Sequence, residues 1–329
     1  MTGQTARVTL ADVQRPVVGR IDAVTADLRK IIAADFPLIQ EVNGHLLQMQ
    51  GKLLRPTLLL LANQAAAAED PRCVRLAAVV ELIHLATLVH DDSVDHSALR
   101  RGMPTINSLF SHQISVIMGD YLYSRAIIEL VRLDDVGPLR VLARVTNEMT
   151  IGEMRQLGAY DALSFREEDY ELLIRSKTAS LFSAACECGA LRAAPEARAA
   201  LRTYGDALGM AFQIADDLLD YTEPVAVTGK PTGHDLKEHK VALPLIAALP
   251  RFADGERREA QALFATAEPS DEQVARLSDL VARSGGLDFA RERAQEYALK
   301  AEAALATLEP SEARDGLQGA IVYAVERRR

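Results

Sequence analysis

The sequence predicts an all-α protein, a single large helical bundle. Apolar residues recur every three or four positions through most of the 329 residues, the pattern of a helix with one buried face. Alternating strand patterns bounded by tight turns are missing. The larger proline and glycine clusters fall between helical stretches, and no Ser/Gly-rich linker or repeat divides the chain. We therefore expect one domain over residues 1–329.

The helical stretches can be placed in order along the chain. The first runs from Ile21 to Ile32, with apolar residues at three- and four-residue spacing. The stretch from Val74 to Val89 is apolar almost all round, so we expect it at the centre of the bundle. The remaining predicted helices span residues 114–132, 139–158, 170–189, 197–221, 271–284, 288–308 and 311–328.

The charge balance argues against some classes of partner. The chain carries 46 acidic and 37 basic residues, a net charge of −9, whereas a general nucleic-acid binder needs surplus lysine and arginine. Tryptophan is absent and aromatic residues make up only 5%, which argues against a platform that stacks bases. We expect no nucleic-acid partner, and an anionic substrate would need a local basic site or metal ions.

Cysteine content and apolar runs bear on the cellular compartment. Cys73, Cys186 and Cys188 are too few for a disulfide framework and lack zinc-site spacing, which favours a reduced, cytoplasmic protein. The first residues show no basic stretch followed by an apolar one, and no apolar run reaches the roughly 20 residues of a membrane span. The sequence therefore predicts no membrane anchor.

Two short carboxylate clusters have the form Asp-Asp-x-x-Asp, the first beginning at Asp91 and the second at Asp216. Residues four apart share a helix face, so Asp91 and Asp95 would project together, as would Asp216 and Asp220. Like charges at this spacing destabilise a helix by about 0.2–0.5 kcal/mol. A solvated helix end would explain one such cluster. Two copies that both follow apolar turns favour bound divalent cations, with Mg²⁺ the natural partner of carboxylate and phosphate oxygens.

Basic residues complement these clusters. Arginine offers a bidentate fork for phosphate oxygens, and lysine offers a mobile point charge. Carboxylates and cations together predict a polyanionic substrate bridged by metal, for which diphosphate and Mg²⁺ are the simplest candidates. No Gly-rich loop of the nucleotide-binding type accompanies them. The basic residues are Lys52, Arg55, Arg100, Arg101, Lys177, Lys230, Lys237 and Lys240.

Several short motifs follow one another in a specific order. They are Gly-Lys-x-x-Arg-Pro at 51–56, Glu-Leu-Ile-His at 81–84, Arg-Arg-Gly at 100–102, Gly-Asp-Tyr at 119–121, Lys-Thr at 177–178, Phe-Gln at 212–213 and Gly-Lys-Pro at 229–231. From about Gly51 to Pro244 the sequence resembles the trans-isoprenyl diphosphate synthase (polyprenyl synthetase) family, most closely its long-chain members. The resemblance implies an isoprenoid-synthase type of helical bundle with a central active-site cavity.

The resemblance implies a Mg²⁺-dependent prenyltransferase that condenses isopentenyl diphosphate head to tail with an allylic diphosphate. Three Mg²⁺ ions would be bound with the diphosphate, and their ligands would be Asp91, Asp95, Asp216 and Asp220. The implied catalytic residues are Asp91, Asp92, Asp95, Lys177, Asp216, Asp217 and Asp220. The allylic diphosphate would contact Arg100, Lys177, Thr178, Gln213, Lys230 and Lys240. Isopentenyl diphosphate would contact Lys52, Arg55, His84 and Arg101.

Product length is implied by the residues before the first aspartate motif. In this family a bulky residue at the fifth position before that motif blocks chain growth, and here the position is Ala86, followed by Thr87. A small side chain leaves the cavity open at this level, which predicts an all-trans product of about six to ten isoprene units, C30 to C50, of the quinone side-chain type. A deeper blocking residue within Ile114–Tyr121 would instead give a farnesyl or geranylgeranyl diphosphate synthase.

The segment after the Gly-Lys-Pro motif departs from the family pattern. The family usually has glycine and threonine where this chain has His239 and Ala242. Histidine adopts a positive φ angle less readily than glycine does. We therefore expect a change in loop geometry, without loss of a metal ligand.

Other functions fit the sequence less well. A terpene cyclase or head-to-head synthase would not need Lys52 and Arg55, and regulatory subunits of heteromeric synthases tend to lose the aspartates that are intact here. A di-iron bundle requires two Glu-x-x-His motifs, and only Glu81–His84 is present. The resemblance implies a homodimer formed through the apolar stretch Ile114–Leu130. A catalytic subunit of a heteromeric synthase stays open as an alternative.

Overall fold

The structure is a computed structural model that describes residues 8–49, 51–157, 162–222 and 233–326. These residues are predominantly helical, which confirms the predicted all-α class. The α-helices are α1 (Leu10–Gln14), α2 (Val18–Ile31), α3 (Pro37–Gln48), α4 (Leu54–Ala65), α5 (Cys73–Val94), α6 (Ile106–Leu109), α7 (His112–Arg132), α8 (Val136–Leu157), α9 (Glu167–Ile174), α10 (Ser180–Gly189), α11 (Pro195–Thr222), α12 (His234–Lys237), α13 (Leu243–Ala248), α14 (Asp254–Ala265), α15 (Asp271–Arg283), α16 (Gly286–Leu305) and α17 (Glu312–Glu326). Shorter 3₁₀ turns span Arg15–Val17, Ala162–Ser164 and Leu249–Arg251.

Most predicted helices are observed with small shifts of their ends. The helices predicted over residues 114–132, 197–221 and 271–284 correspond to α7, α11 and α15. The single helix predicted over 170–189 is wrong in detail, because a π-helix at Arg175–Ala179 separates α9 from α10. A π-turn adds only one residue to a helical turn, so the spacing of apolar residues does not reveal it.

A two-stranded hairpin follows α5, where the sequence predicts only a breaker cluster. Strand β1 (Leu99–Arg100) pairs antiparallel with β2 (Met103–Pro104). The turn residues Arg101 and Gly102 have φ angles of 54° and 77°, and a tight hairpin turn requires positive φ at both central positions. Strands of two residues are too short to show alternation, so the sequence pattern misses them.

The described residues form two compact units. The first comprises the residues up to Thr146 together with Leu181–Gly205 and Ala304–Ala320. The second comprises Asn147–Ser180, Asp206–Ala303 and the residues from Ile321 onward. The expectation of one domain over residues 1–329 stays a prediction.

Helix α5 is the central helix of the first unit. It packs against α2, α4 and α7, and Leu76, Val79 and Leu82 are completely buried. A helix that is apolar all round can be buried on every side, as the sequence predicts. By length and composition, α5 is also the one helix in the described part of the chain that is apolar enough to cross a membrane. Because 67% of that window is buried inside the protein, the helix has the burial of a core helix.

Two apolar clusters hold the second unit together. The first includes Tyr170 of α9, Ile214 and Leu218 of α11, and Tyr297 of α16. The second joins residues of α12, α13, α14 and α15. Helices α9 and α11, which carry polar groups described below, are therefore fixed by the same core.

Candidate active site

The first aspartate motif lies at the C-terminal end of α5. The helix ends at Val94, and the backbone N–H of Asp95 donates a hydrogen bond to the carbonyl oxygen of Asp91 at 2.8 Å. The helical turn is thus complete up to Asp95, which places the two aspartates on one face, as the spacing predicts. Asp91 is half-buried and Asp95 is exposed.

The second residue of this motif, Asp92, is buried and binds Arg100. The Arg100 Nε lies 2.8 and 2.9 Å from the two Asp92 carboxylate oxygens, and its Nη2 lies 2.7 Å from Oδ1. A guanidinium held by several hydrogen bonds to one carboxylate has a fixed orientation. Asp92 therefore positions Arg100, the first residue predicted to contact the allylic diphosphate.

The hairpin turn fixes Arg101. Its Nη1 donates a hydrogen bond to the carbonyl oxygen of Met49 at 2.9 Å. A Cβ atom added to Gly51 would lie only 2.6 Å from the same Nη1, so the guanidinium occupies the space that glycine leaves open. A side chain at this position of the Gly-Lys-x-x-Arg-Pro motif would displace the guanidinium of Arg101 from its present position.

Arg55 and His84 form a cationic group within the first unit. The Arg55 Nη1 lies 3.0 Å from the His84 Nε2, and the guanidinium lies over the ring of Phe182, 4.6 Å from its centroid. Burial, together with the charges of Arg55 and Arg101, holds the pKa of His84 well below its usual range. The neutral imidazole therefore accepts a hydrogen bond from Arg55. Burial lowers the pKa of Arg55 to about 10, so it remains charged at neutral pH.

Two further features of this group bear on what it binds. Glu81, one helical turn before His84, is 3% exposed, and burial raises its pKa while the charges of Arg55 and Arg101 oppose the rise. The Arg55 Nε is buried and has no hydrogen-bond partner among the residues that the structure describes. Buried donors are normally satisfied, so an unpaired guanidinium N–H indicates a ligand that accepts hydrogen bonds.

The other predicted residues of the first unit lie close by in sequence. Lys52 is exposed just before α4, and its carbonyl oxygen accepts a hydrogen bond from the Gln14 Nε2 at 3.0 Å. Ala86 is buried in α5 with 2% exposure. The hydroxyl of Thr87 donates to the His84 carbonyl oxygen at 2.8 Å, so it is directed along its own helix.

The second aspartate motif lies in the last turns of α11. Asp220 accepts backbone N–H groups at both carboxylate oxygens, from His234 at 3.1 Å and from Asp235 at 3.0 Å. A carboxylate oxygen can accept more than one contact, so these backbone hydrogen bonds do not by themselves preclude a metal ligand at this position. Asp220 therefore anchors the start of α12, a role that its motif does not indicate.

Asp217 is buried in the same motif and holds two neighbours. The Tyr170 hydroxyl donates to its Oδ2 at 2.5 Å, and the Gln213 Nε2 donates to its Oδ1 at 2.8 Å. Burial and the nearby charge of Asp235 raise the pKa of Asp217 well above its usual range. Asp216, in contrast, is half-buried.

Asp235 is a further candidate site residue, which no sequence motif singles out. Burial and the neighbouring carboxylates of Asp220 and Asp216 raise its pKa to about 6, although Lys240 opposes the rise. A carboxyl group among other carboxylates indicates a place for positive charge. The only signal in the sequence is its position in the segment that follows the Gly-Lys-Pro motif.

The π-helix carries the Lys-Thr motif. The Lys177 Nζ lies 2.6 Å from the Glu153 Oε1 and 3.4 Å from the Gln156 Oε1, so an ion pair orients it. The Thr178 hydroxyl donates to the Gln213 Oε1 at 2.8 Å. Single π-turns occur frequently at functional sites, where they change the direction of side chains within a helix.

Of the remaining predicted cations, two form ion pairs and one lies outside the described residues. The Lys240 Nζ lies 2.9 Å from the Glu238 Oε2. Lys237 pairs with Asp271. Lys230, predicted to contact the allylic diphosphate, lies outside the described residues.

The carboxylate pairs fit a hard divalent cation bound together with a phosphorylated ligand. In the part of the chain that the structure describes, no group of three or more His, Cys, Asp or Glu side chains could hold a metal ion by itself. Mg²⁺ commonly takes one or two protein carboxylates and completes its shell with phosphate oxygens and water. Carboxylates, cationic side chains and the unpaired Nε–H of Arg55 are the groups expected in a class of all-α protein that acts on phosphorylated substrates with divalent metal.

The chain belongs to the polyprenyl synthetase family. The sequence model of that family matches residues 36–281, a range that contains every site residue predicted above. Membership makes the chain a transferase, a prenyltransferase with the all-α isoprenoid-synthase fold, and confirms the resemblance found in the sequence motifs.

Relatives similar in sequence and structure are named for prenyl synthesis. The chain is 37% identical to the all-trans-nonaprenyl-diphosphate synthase (geranyl-diphosphate specific) of Rhodobacter capsulatus, over 96% of this chain and 97% of the relative. It is also 37% identical to the octaprenyl diphosphate synthase of Escherichia coli (strain K12), over 93% of this chain and 95% of the relative. A crystal structure of a polyprenyl synthase from Caulobacter crescentus CB15, complexed with calcium and isoprenyl diphosphate, matches with a TM-score of 0.93 at 35% identity, covering 98% of both chains. Membership of the polyprenyl synthetase family implies dependence on a divalent metal.

Proposed function

We propose that the chain is a long-chain all-trans polyprenyl diphosphate synthase, which condenses isopentenyl diphosphate head to tail with an allylic diphosphate. The observation that carries this proposal is the presence of two Asp-Asp-x-x-Asp motifs, one on α5 and one on α11, each with cationic side chains in its own unit. Similarity to enzymes named as nonaprenyl and octaprenyl diphosphate synthases supports both the reaction and the long product.

The proposal includes Mg²⁺ as the cation, with three ions bound when diphosphate is present. Asp91 and Asp95 would be ligands on α5, and Asp216 and Asp220 would be ligands on α11. When bound, Mg²⁺ neutralises charge on the diphosphate and so makes it a better leaving group. The carboxylate-only donor sets support this choice, because hard oxygen ligands suit Mg²⁺ better than a soft metal.

The cationic side chains would stabilise the diphosphate as it leaves the allylic carbon. Arg100 is already held in one orientation by Asp92. Lys177 would exchange its ion pair with Glu153 for a contact with the substrate. Fixed positive charges aimed at developing negative charge lower the barrier to breaking the C–O bond. The full set proposed for this diphosphate is Arg100, Lys177, Thr178, Gln213, Lys230 and Lys240.

Isopentenyl diphosphate would bind to Lys52, Arg55, His84 and Arg101. The unpaired Nε of Arg55 and the neutral state of His84 support this, because a diphosphate supplies many acceptors to guanidinium donors. The isopentenyl double bond would attack the allylic carbocation, and the proton lost in that step would pass to the released diphosphate. Holding both reactants close together matters because water would otherwise capture the cation.

Product length would be set in part by Ala86 and Thr87. Ala86 is small and buried, so replacing it by phenylalanine adds bulk within α5 at the level where chain growth is blocked in related enzymes. We expect Ala86→Phe to shorten the product. An unchanged product length in this variant would remove Ala86 from the proposal.

The proposed assembly is a homodimer in the cytoplasm without a membrane anchor. Helix α7 supports the dimer, because Ile117, Ile128 and Val131 are exposed apolar residues along it. The burial of α5 supports the absence of an anchor. The three cysteines are free and buried, which suits a reducing compartment.

The direct test is diphosphate release by the purified chain. We expect release that requires isopentenyl diphosphate, an allylic diphosphate and Mg²⁺, that stops with chelator, and that falls about 100-fold or more in Asp91→Asn and Asp216→Asn. Asp22→Asn, at an exposed aspartate of α2, is the matched control and should behave as the unsubstituted chain. Release from the allylic substrate alone would indicate a cyclase. Activity only with an added second subunit would favour a heteromeric synthase.

A further inference from the structure

Tyr170 is a buried polar residue that the proposed reaction does not use. It lies on α9 in the second unit, with 2% exposure, and its hydroxyl donates to the Asp217 Oδ2 at 2.5 Å. The ring packs in the apolar cluster that also contains Ile214 and Tyr297. A buried tyrosine needs a partner for its hydroxyl, but any acceptor would satisfy that need. The acceptor that it contacts is Asp217, a member of the second aspartate motif.

The carboxylate of Asp217 determines how the amide of Gln213 is oriented. Its second oxygen, Oδ1, lies 2.8 Å from the Gln213 Nε2, one helical turn earlier on α11. The NH₂ end of the amide therefore faces Asp217, whose Oδ1 accepts its hydrogen bond. The oxygen end, Oε1, accordingly accepts the hydroxyl of Thr178 at 2.8 Å.

These three hydrogen bonds form a chain from Tyr170 through Asp217 and Gln213 to Thr178. The chain joins α9, α11 and the π-helix, all within the second unit. The hydroxyl of Thr178 donates its proton in the hydrogen bond to the Gln213 Oε1. The amide NH₂ has two hydrogens, and Asp217 accepts only one of them, so the other is a donor that the chain holds in a fixed direction.

We propose that Tyr170 is a positioning residue for the diphosphate of the allylic substrate. Its hydroxyl holds the Asp217 carboxylate, which sets the Gln213 amide so that one N–H donates to the diphosphate. This inference rests on the proposed function, in which Gln213 and Thr178 contact that diphosphate. Removing the hydroxyl leaves Asp217 with one of its two partners, and the amide is then free to reorient.

The substitution Tyr170→Phe tests this with little change in packing, because the ring remains in the apolar cluster. Tyr297→Phe is a matched control. Tyr297 lies in the same cluster, and its hydroxyl also donates to a carboxylate, the Glu171 Oε1 at 2.7 Å, but it is outside the chain to Gln213. Both variants lose one hydroxyl–carboxylate hydrogen bond, so they should lose similar thermal stability.

The first measurement is calorimetric binding of inorganic diphosphate in the presence of Mg²⁺. We expect Tyr170→Phe to weaken this binding about 10-fold or more, as supporting partners of site residues commonly do, and Tyr297→Phe to bind like the unsubstituted chain. In steady-state assays, KM for the allylic diphosphate should rise by a similar factor in Tyr170→Phe, whereas KM for isopentenyl diphosphate should stay the same. A merely structural role would shift both KM values or affect both variants equally, and either result would overturn the proposal.

A double substitution tests the route through Gln213. In a Gln213→Ala background, Tyr170→Phe should weaken diphosphate binding no further, because its effect passes through the amide. Additive losses would contradict that route. If the unsubstituted chain binds diphosphate but makes no prenyl product, the proposed function is wrong. The ratio of the diphosphate affinities of Tyr170→Phe and the unsubstituted chain would still test the role of Tyr170. If it does not bind diphosphate, both proposals are wrong.

Discussion

At the level of single residues, Glu238 organises the segment that follows the second aspartate motif. The His234 Nε2 lies 3.0 Å from its Oε1, and the Lys240 Nζ lies 2.9 Å from its Oε2. The hydrogen bonds from His234 and then Lys240 lower the pKa of Glu238 to about 2. One carboxylate thus holds a lysine that is proposed to contact substrate.

This lowered pKa predicts a dependence of stability on pH. Glu238 stabilises the folded state fully above its ordinary pKa of 4.5, and the contribution is lost as pH falls towards 2, because the unfolded chain takes up the proton first. We expect Glu238→Gln to lower the melting temperature at pH 6, and the difference from the unsubstituted chain to shrink by pH 3.5. Melting curves at the two pH values measure this. A difference that is the same at both would contradict it.

His239 shows how the chain accommodates its departure from the family pattern. Its φ angle is 55°, in the region that favours glycine, and its Nε2 lies 2.9 Å from the carbonyl oxygen of Thr266. Its ring also packs edge-on against Phe264 at 5.7 Å. These contacts compensate for the conformational cost of a positive φ in a residue with a side chain. Ala242 precedes α13 at the N-cap position without a side-chain cap, which a threonine would supply.

At the level of secondary structure elements, the π-helix that carries Lys177 packs closely on α8. Gly152 of α8 allows this, because a Cβ atom there would lie 2.9 Å from the Ser176 Cβ and 3.5 Å from the Lys177 backbone nitrogen. The contact is with the π-helix itself rather than with the mobile end of a long side chain. The position of Lys177 is therefore sensitive to one added methyl group.

We expect Gly152→Ala to displace the π-helix and to lower kcat about 10-fold or more, since small misplacements of catalytic groups are costly. Gly44→Ala is the matched control. It lies within α3 with nothing within 4 Å of the added Cβ, so it should leave kcat unchanged and stabilise the protein by about 0.4–1 kcal/mol. Steady-state rates and melting curves of both variants give the answer. Full activity in Gly152→Ala would show that the close contact is irrelevant to Lys177.

The exposed apolar face of α7, the proposed dimer interface, predicts the effect of a charge placed there. Ile117 is 65% exposed, so an aspartate there is tolerated by the folded protomer but would be desolvated in the dimer. We expect Ile117→Asp to sediment as a monomer at micromolar concentration. Leu299→Asp, at a residue of α16 that is 55% exposed, should leave the dimer intact. A dimer in both variants, or a monomeric unsubstituted chain, would contradict this assignment.

At the level of the whole molecule, the sequence predicts the features that repeat or have a helical period. The aspartate spacing places Asp91 and Asp95 on one turn, and the all-round apolar pattern identifies α5 as a core helix. The hairpin turn at Arg101 and the π-helix are not predictable in this way. Each depends on the conformation of one or two residues, which produces no periodic pattern of apolar residues in the sequence. The role of Tyr170 is also not predictable from the sequence, because a tyrosine at helical spacing is typical of any core. Only its hydrogen bond to Asp217 distinguishes it.

The single-domain prediction concerns the whole chain and can be tested by calorimetry. Helices α8, α10 and α11 each contribute residues to both compact units. Unfolding one unit would therefore break helices that also belong to the other, and we expect one cooperative transition whose calorimetric and van't Hoff enthalpies agree. Two separate transitions would show that the units are independent domains.

The central claim is the synthesis of a long prenyl chain, and chromatography of the reaction products tests it most directly. The purified chain would be incubated with Mg²⁺, an allylic diphosphate and labelled isopentenyl diphosphate until product length no longer changes. We expect a terminal product of about six to ten isoprene units, C30 to C50, because no bulky side chain stands at Ala86 to block growth. A terminal product of C15 or C20 would contradict the long-chain assignment, and the absence of any prenyl product would contradict the reaction itself.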